Sequence, residues 1–390
     1  MEHIYLTAAF WLGLGVLSAI IAYHIKLSIA SVEIIIGIAA AFAASSFLNK
    51  DVFSENSDWI KFLAGSGSIF LTFLAGAELD KHSIKEKFKE SAAMGAASFF
   101  VSFVLIFIFS FYVLKWSYQA SIITASSLSS TSIAIIYSIM TEKGLNKTSL
   151  GKGILGACFV NGFLTLSSLS LFFQKTDYKT LVFLFFSLFT LFIFPYLTSH
   201  LTNVYGNRTA AIRSKWVSFF LFSYGALALW AKTEPVLAAY IAGVALGEFA
   251  GNNSQWIRRM RTLTVGFFTS FYFLRVGIMC SIDVFYSSLG IIILFFIVRF
   301  IGKYAGLYPV SGLFMKVKKE RFFYSMLLTT GLTFDTIAAV FGYSHSIIDK
   351  TQYSVLIAVI ILAAIIPGFI ANKYAPARAA HEQLKEEYQE

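Results

Sequence analysis

Long apolar segments separated by short polar ones run through almost the whole chain of 390 residues. A helix needs about 20 mostly apolar residues to cross the hydrocarbon core of a bilayer, and the pattern predicts thirteen such spans. They are residues 4–24, 29–48, 59–78, 92–114, 119–140, 150–173, 180–199, 214–231, 235–250, 263–282, 286–306, 322–343 and 352–372. Spans of a β-barrel would be about 10 residues long with alternating polarity. The pattern therefore predicts an all-α integral membrane protein.

The composition excludes a soluble globular protein. Hydrophobic residues make up 57% of the chain and charged residues 13%, and the mean hydropathy is +0.72. A soluble protein needs more polar side chains than this to cover its surface. Lipid is therefore the expected solvent for most of the chain.

The positions of the basic residues predict the orientation in the membrane. Of the 31 lysines and arginines, 21 lie in the segments after odd-numbered spans and seven in the segments after even-numbered ones. Because cytoplasmic loops carry the excess of lysine and arginine, the N-terminus is predicted outside and the C-terminus in the cytoplasm of a cell (inner) membrane. The net charge of +10 is then a topology signal, and no nucleic-acid partner is expected.

The chain shows no pattern typical of an enzyme. Cys158 and Cys280 lie inside predicted spans, and neither they nor the six histidines have metal-ligand spacing. No glycine-rich phosphate loop follows a strand, and no nucleophile and base form a recognisable set. We therefore expect no enzymatic activity, no bound metal and no cofactor.

Two predicted spans contain polar stretches that disfavour a continuous helix. Span five has seven hydroxyl residues in the nine positions from Thr124 to Ser132, and span twelve reads LLTTGLTFDTIAAVFG with Asp335 inside it. Serine and threonine side chains compete with the helix for backbone hydrogen bonds. Both spans are therefore predicted to be broken helices, although serine and threonine also allow close helix packing.

The broken spans lie seven spans apart, which suggests two inverted six-helix repeats joined by the seventh span. The predicted transmembrane domain is 1–373, with repeat one at about 1–174, a linker helix at about 180–199 and repeat two at about 214–373. Residues 374–390 form a short cytoplasmic tail. Broken helices at matching positions of inverted repeats mark the binding site of many transporters.

Several segments resemble a known family in order and spacing. They are FLAGSGSIFLTFLAGAELD, SSTSIAIIYSIMTEKGLNKTSLGKGILGACFVNGF, PVLAAYIAGVALGE, FFTSFYFLRVGI, FIGKYAGLYPVSGLF and TTGLTFDTIAAVFGYSHSIID. These segments resemble the second branch of the monovalent cation:proton antiporter superfamily, the sodium/proton and potassium/proton exchangers. The resemblance implies an inverted-repeat fold with crossing broken helices, a homodimer, and a monovalent cation and H⁺ as partners besides the lipid bilayer.

The resemblance also shows what is missing. Most of the family carries Asp-Asp or Asn-Asp in the sixth span, and the second aspartate binds the cation and the proton in turn. This chain has Asn161 at the first place and Gly162 at the second. The residue that the family uses for exchange is therefore absent.

Exchange needs a group that is neutral with a proton and charged without it, and Asp335 is the candidate substitute. An intramembrane acid is costly and often functional, and we expect Asp335 to pair with Lys303 or Arg275. Arg299, in span eleven, is interpreted separately as a structural ion-pair partner. Glu33 is interpreted as an entrance or packing acid. The candidate oxygen ligands, with Asn161 and Gly162 beside them, are Ser130, Thr131, Ser132 and Thr333.

The predicted function is exchange of Na⁺ or K⁺ for protons by alternating access. Without an acid at 162, two other functions stay open. The first alternative is an uncoupled facilitator of a cation or small solute. The second is a transport-inactive antiporter paralogue in which Gly162 is the inactivating change.

Overall fold

A computed structural model describes residues 2–47, 53, 55–78, 87–145, 148–173, 178–206 and 211–376. All regular structure in these residues is helical. The helices are α1 (Glu2–Ile25), α2 (Ile29–Phe47), α3 (Asp58–Ala77), α4 (Phe88–Ile108), α5 (Tyr118–Leu128), α6 (Ile133–Glu142), α7 (Ser149–Phe173), α8 (Tyr178–Tyr205), α9 (Ile212–Trp230), α10 (Pro235–Asn252), α11 (Ser254–Leu263), α12 (Thr269–Ile278), α13 (Ile282–Ser287), α14 (Leu289–Phe314), α15 (Lys318–Thr329), α16 (Thr333–Ser344) and α17 (Lys350–Lys373). Most of the predicted cytoplasmic tail, from residue 377 onward, lies outside the described residues.

The all-helical membrane architecture predicted from the hydropathy pattern is confirmed. Within the described ranges, nine helical segments are long and apolar enough to cross a membrane, counting α5 with α6 and α15 with α16 as one segment each. The helix over the second predicted span has a shorter apolar stretch, Ile29–Ala44. The total of thirteen spans stays a prediction.

The tenth predicted span, 263–282, differs from the prediction. Helix α11 ends at Leu263, a π-helical turn follows over Thr264–Phe268, and α12 continues to Ile278. A π turn adds one residue to a helical turn, so hydropathy, which reports only the length and polarity of a segment, does not reveal it.

Side-chain capping hydrogen bonds define the starts of α5 and α17. The Oγ of Ser117 accepts from the backbone N–H of Ala120 at 3.2 Å at the start of α5. At the start of α17, Asp349 and Gln352 form a reciprocal capping box, with bonds of 2.8 and 3.0 Å. Such caps satisfy backbone N–H groups that have no partner within the helix.

The chain forms two compact units. The first lies within Met1–Lys81 and Leu169–Ile278, and the second within His82–Ser168 and Met279–Glu390. Each unit takes segments from both sequence halves, so the units do not coincide with the predicted repeats, whose boundaries stay a prediction.

In the first unit, glycines allow helices α2 and α12 to cross closely. Gly37 faces the carbonyl of Leu274 and Gly277 faces the carbonyl of Ile34, and neither glycine has room for a Cβ. The reciprocal contact resembles the small-residue crossings that bring membrane helices together. It fixes α2 against α12 over a buried segment of each.

In the second unit, α14 packs along α4 through one face of buried residues. Phe295, Arg299, Lys303 and Gly306 lie on this face at intervals of three or four residues, the spacing of one helix face. At Gly306 an added Cβ would lie 2.6 Å from the backbone oxygen of Ala97. This packing carries two cationic side chains into the interior of the unit.

Candidate functional site

The two interrupted helices of the second unit meet at their breaks. Helix α5 ends at Leu128 and α6 begins at Ile133, while α15 ends at Thr329 and α16 begins at Thr333. The backbone N–H of Ser132 donates to the carbonyl of Thr330 at 3.2 Å. The prediction of two broken, hydroxyl-lined stretches in contact is confirmed.

Hydroxyl groups of α5 and of the α5–α6 break donate to backbone carbonyls of α15 and α16. The Oγ1 of Thr131 donates to the carbonyl of Leu328 at 2.9 Å, and the Oγ of Ser127 donates to the carbonyl of Asp335 at 2.8 Å. Irregular backbone at membrane depth requires such internal partners, because lipid provides none. The serines and threonines therefore both break the helices and join the two breaks.

Asp335 forms a buried ion pair with Arg299. Its Oδ1 lies 3.0 Å from Nη1 of Arg299, and both side chains are almost wholly buried. The guanidinium also donates to the carbonyls of Leu128 and Ser130, so it joins α14 to the end of α5 and to the α5–α6 break. The structure thus shows Arg299 as an ion-pair partner of Asp335, where the hypothesis named Lys303 or Arg275.

Lys303 instead donates hydrogen bonds to two hydroxyl groups. Its Nζ donates to Ser98 Oγ at 2.9 Å and to Thr131 Oγ1 at 2.8 Å, and the residue is completely buried. Hydroxyl oxygens of this kind are also ligands for a monovalent cation in transport sites. The ammonium group therefore takes positions that a bound cation would need.

Asn161 joins the same network from α7. Its Nδ2 donates to Ser98 Oγ at 3.3 Å and to the carbonyl of Ser129 at 3.1 Å. Its Oδ1 has no hydrogen-bond partner among the described residues. Asn161 and Lys303 are thus connected through Ser98, and Lys303 extends the network to Thr131.

We call the following residues the crossing site: Ser98, Thr131, Asn161, Arg299, Lys303 and Asp335. Around it, four buried oxygens lack a hydrogen-bond partner within the described part of the chain: Ser129 Oγ, Ser130 Oγ, Asn161 Oδ1 and Asp335 Oδ2. A buried oxygen without a partner costs about 1–3 kcal/mol. These four oxygens, on three neighbouring segments, can accept a further hydrogen bond or contact a cation.

Gly162 faces an aromatic ring. A Cβ added there would lie 2.6 Å from Cε2 of Phe334 and 3.1 Å from its Cδ2. Phe334 is completely buried and precedes Asp335 on α16. The space beside Asn161, where the resembling family carries its acid, is therefore filled by this ring.

The remaining predicted ligands lie close in sequence but make different contacts. The Oγ of Ser132 accepts from the backbone N–H of Ile135 at 3.5 Å, and the carbonyl of Thr333 accepts from Thr336 Oγ1 at 2.9 Å. Both residues belong to the second unit. Arg275 lies in the first unit, where its Nε donates to the carbonyl of Glu55 at 3.0 Å.

Glu33 is also in the first unit. The carboxyl is buried, its Oε1 accepts from Ser270 Oγ at 2.6 Å, and its Oε2 has no partner among the described residues. These contacts tie α2 to α12 beside their glycine crossing. They fit the interpretation of Glu33 as a packing acid.

Sequence reasoning missed two contributors to this site. Ser98 lies in the small-residue segment SAAMGAASFF, which gives no signal of chemistry. Phe334 is one of 42 phenylalanines, and only its place next to Asp335 distinguishes it. Arg299 had a signal, because an arginine inside an apolar helix needs a partner.

The side chains of Arg299 and Asp335 lie against the backbone of Gly331, so replacing this glycine tests the packing of the ion pair. An added Cβ would collide with Nη2 of Arg299 and Oδ2 of Asp335. Because separating a buried pair costs about 3–5 kcal/mol, Gly331→Ala should lower the midpoint of thermal unfolding in detergent by several degrees. Gly290, on α14 with open space around it, provides the control, since Gly290→Ala should leave the midpoint unchanged or slightly higher. Equal midpoints for the two variants would contradict the tight fit at Gly331.

Comparison with known proteins finds a matching family and several relatives. Residues 12–374 match the family described as "Sodium/hydrogen exchanger, transmembrane". A Methanocaldococcus jannaschii protein named "Probable Na(+)/H(+) antiporter 3" is 26% identical over 328 residues, covering 80% of this chain and 83% of that protein. A Na(+)/H(+) antiporter of Enterococcus hirae is 23% identical over 330 residues, covering 79% of this chain and 83% of the relative.

A solved structure shows the same fold. The sodium proton antiporter MjNhaP1 from Methanocaldococcus jannaschii, determined at pH 8, aligns with a TM-score of 0.69 at 14% sequence identity, over 96% of this chain and 98% of that chain. The resemblance to the superfamily is confirmed, while its second branch stays a prediction. Since the family match spans almost all the described helices, the chain belongs to the sodium/hydrogen exchanger family of multi-pass membrane transporters, within the monovalent cation:proton antiporter superfamily.

Proposed function

We propose that this protein exchanges Na⁺ for protons by alternating access, with the crossing site as its ion site. The observation that carries the proposal is the set of unpartnered buried oxygens around the joined helix breaks. The family and the names of the relatives, which are Na(+)/H(+) antiporters, favour Na⁺ over K⁺. No cofactor is part of the proposal.

The charges of the crossing site supply a reason for exchange without an acid at 162. Arg299 and Lys303 are two buried cations, and Asp335 is the one carboxylate that the described residues bring into contact with either of them. Two unit charges 4 Å apart repel by about 4 kcal/mol at an effective dielectric constant of 20. A sodium ion at the hydroxyls of Ser98 and Thr131 therefore requires the ammonium proton of Lys303 to leave.

Asp335 and Lys303 both qualify as the proton carrier. Asp335 is the carboxylate that substitutes for the missing family acid, but a proton on it would leave Arg299 without a counter-charge in the interior. Removing one partner of a buried pair is strongly destabilising. We therefore assign the proton to Lys303 and the fixed negative charge to Asp335.

A specific observation favours one alternative, a transport-inactive paralogue. The place of the family acid is empty of charge at Gly162 and is filled by the Phe334 ring. If loss of that acid ended transport, the wild type should be silent, and Gly162→Asp combined with Phe334→Ala should restore exchange. The second substitution is needed because the ring occupies the space that the new carboxylate would take.

Reconstituted vesicles distinguish these functions. The purified protein is placed in vesicles containing a pH dye, and Na⁺, K⁺ or Li⁺ is added outside. The proposed exchanger moves protons when Na⁺ is added, and Asp335→Asn stops this movement while Asp283→Asn, at an exposed helix start, does not. Cation flux without proton movement would identify an uncoupled facilitator, and neither flux would identify an inactive paralogue.

The assembly and orientation rest on the resemblance and on the charge pattern. We propose a homodimer in the cell (inner) membrane, with the N-terminus outside and the C-terminus in the cytoplasm. Crosslinking in native membranes should give a dimer band. A cysteine introduced at residue 2 should be labelled by a membrane-impermeant reagent added to intact cells, because the N-terminus is proposed to lie outside.

A further inference from the structure

The ring of Phe334 and the missing side chain of Gly162 fit each other. An added Cβ at Gly162 would lie 2.6, 3.1 and 3.3 Å from Cε2, Cδ2 and Cζ of this ring. Real Cβ atoms essentially never lie below 3.0 Å from another heavy atom. Since both residues are buried, the ring has little room to withdraw. Glycine at 162 and phenylalanine at 334 therefore form a complementary pair across α7 and α16.

The pair lies at the edge of the crossing site. Gly162 directly follows Asn161, and Phe334 directly precedes Asp335. Each of these polar neighbours has one buried oxygen without a partner among the described residues, namely Asn161 Oδ1 and Asp335 Oδ2. The ring contributes no lone pair that could hold a cation. It therefore places an apolar surface against Gly162, next along α7 to Asn161.

An apolar surface beside the site changes the binding of small and large cations by different amounts. Selectivity among monovalent cations depends on cavity size and on the number of oxygen ligands that the site can offer. A site closed by an aromatic ring on one side offers fewer ligands and excludes water there. It favours a small cation over a larger one that needs more ligands.

We propose that Phe334 is the specificity-determining residue of the crossing site, closing it on the Gly162 side so that Na⁺ is accepted and K⁺ is rejected. The inference rests on the proposed exchange function. Phe334 acts through the size of the site, in the space where the resembling family has a charge.

The first arm of the test examines the steric pair. Gly162→Ala adds one carbon against the ring and should lower Na⁺-driven proton movement about 10-fold, an effect of the size produced by one extra methylene in a tight site. Gly162→Ala/Phe334→Leu shortens the opposing side chain and should return the rate to within about 3-fold of the wild type. Gly290→Ala, on α14 in open space, is the matched control and should leave the rate unchanged.

The second arm examines selectivity. Phe334→Leu and Phe334→Ala enlarge the site, so the ratio of Na⁺-driven to K⁺-driven proton movement should fall about 5-fold or more. This ratio is a property of the folded transporters, so partial loss of protein does not change it. Phe334→Leu keeps an apolar, branched side chain and provides the measurement if the alanine variant does not fold.

The outcomes separate the inference from the function on which it depends. A wild type that moves no protons in response to Na⁺ overturns the proposed function and this inference with it. A wild type that exchanges, with an unchanged ion ratio in both Phe334 variants and no rescue in the double variant, overturns the inference alone. Rescue together with the lowered ion ratio supports it.

Discussion

Replacing Lys303 by methionine should abolish Na⁺-coupled proton movement and make Na⁺ binding independent of pH. In the wild type, Na⁺ competes with the ammonium proton for Ser98 and Thr131, so the Na⁺ affinity should rise with pH, approaching tenfold per unit where Lys303 is protonated. Methionine has a similar length and carries no proton. The measurement is the Na⁺ dissociation constant between about pH 6 and 9, with vesicle flux in parallel.

The control for this prediction is Lys350→Met. Lys350 is an exposed residue at the start of α17, so its replacement should leave both the pH dependence and the flux as in the wild type. Lys303→Met loses two hydrogen bonds of a buried ammonium group but also loses the cost of burying the charge, so we expect it to fold. Wild-type exchange in Lys303→Met would contradict the role of this residue.

Replacing Asp335 by asparagine should have the second large effect, on stability and exchange together. The change leaves the Arg299 guanidinium buried without a counter-charge, which costs about 3–5 kcal/mol. Exchange should fall about 100-fold if the lost negative charge contributes about 3 kcal/mol to holding the cation during transport, at 1.4 kcal/mol per factor of ten. Thermal unfolding in detergent and vesicle flux measure the two effects separately.

A double substitution separates stability from transport. In Arg299→Gln/Asp335→Asn, both charges are gone and the two amides can hydrogen-bond, so the unfolding midpoint should return toward that of the wild type. Exchange should stay low, because the negative charge that offsets a bound cation is absent. Full recovery of exchange in the double variant would show that Asp335 has only a structural role.

The breaks in the helices could be predicted from sequence because their cause is local. The run of hydroxyl residues from Thr124 to Ser132 weakens the helix wherever it folds, and the unwound Ser129–Ser132 segment lies within it. The crossing of the two broken helices was implied by the resemblance of the sequence motifs to the antiporter superfamily. Both inferences depend on properties that a sequence carries directly.

The partner of Asp335 could not be predicted in the same way. Arg299 and Lys303 are four residues apart on α14, so they lie on nearly the same helix face but about 6 Å apart along its axis. Which of them meets Asp335 depends on how far α14 and α16 are offset along their axes. Hydropathy and residue spacing contain no information on that offset.

The contact between the Phe334 ring and Gly162 could not be predicted from the sequence for a related reason. Helix rotation at the second break determines whether Phe334 or its neighbour Asp335 faces α7. In the structure the ring faces Gly162 and the carboxylate faces Arg299. A sequence shows only that the two residues are adjacent, while their separate destinations follow from the packing of four helices.

Counting the protons released when Na⁺ binds is the decisive measurement. Calorimetric titration of the purified wild type with Na⁺, in two buffers of different ionisation enthalpy, gives this number. We predict about one proton per Na⁺ for the wild type and none for Lys303→Met, because the two cations exclude each other from the same hydroxyls. Sodium binding without proton release in the wild type, or undiminished release in Lys303→Met, would contradict the mechanism.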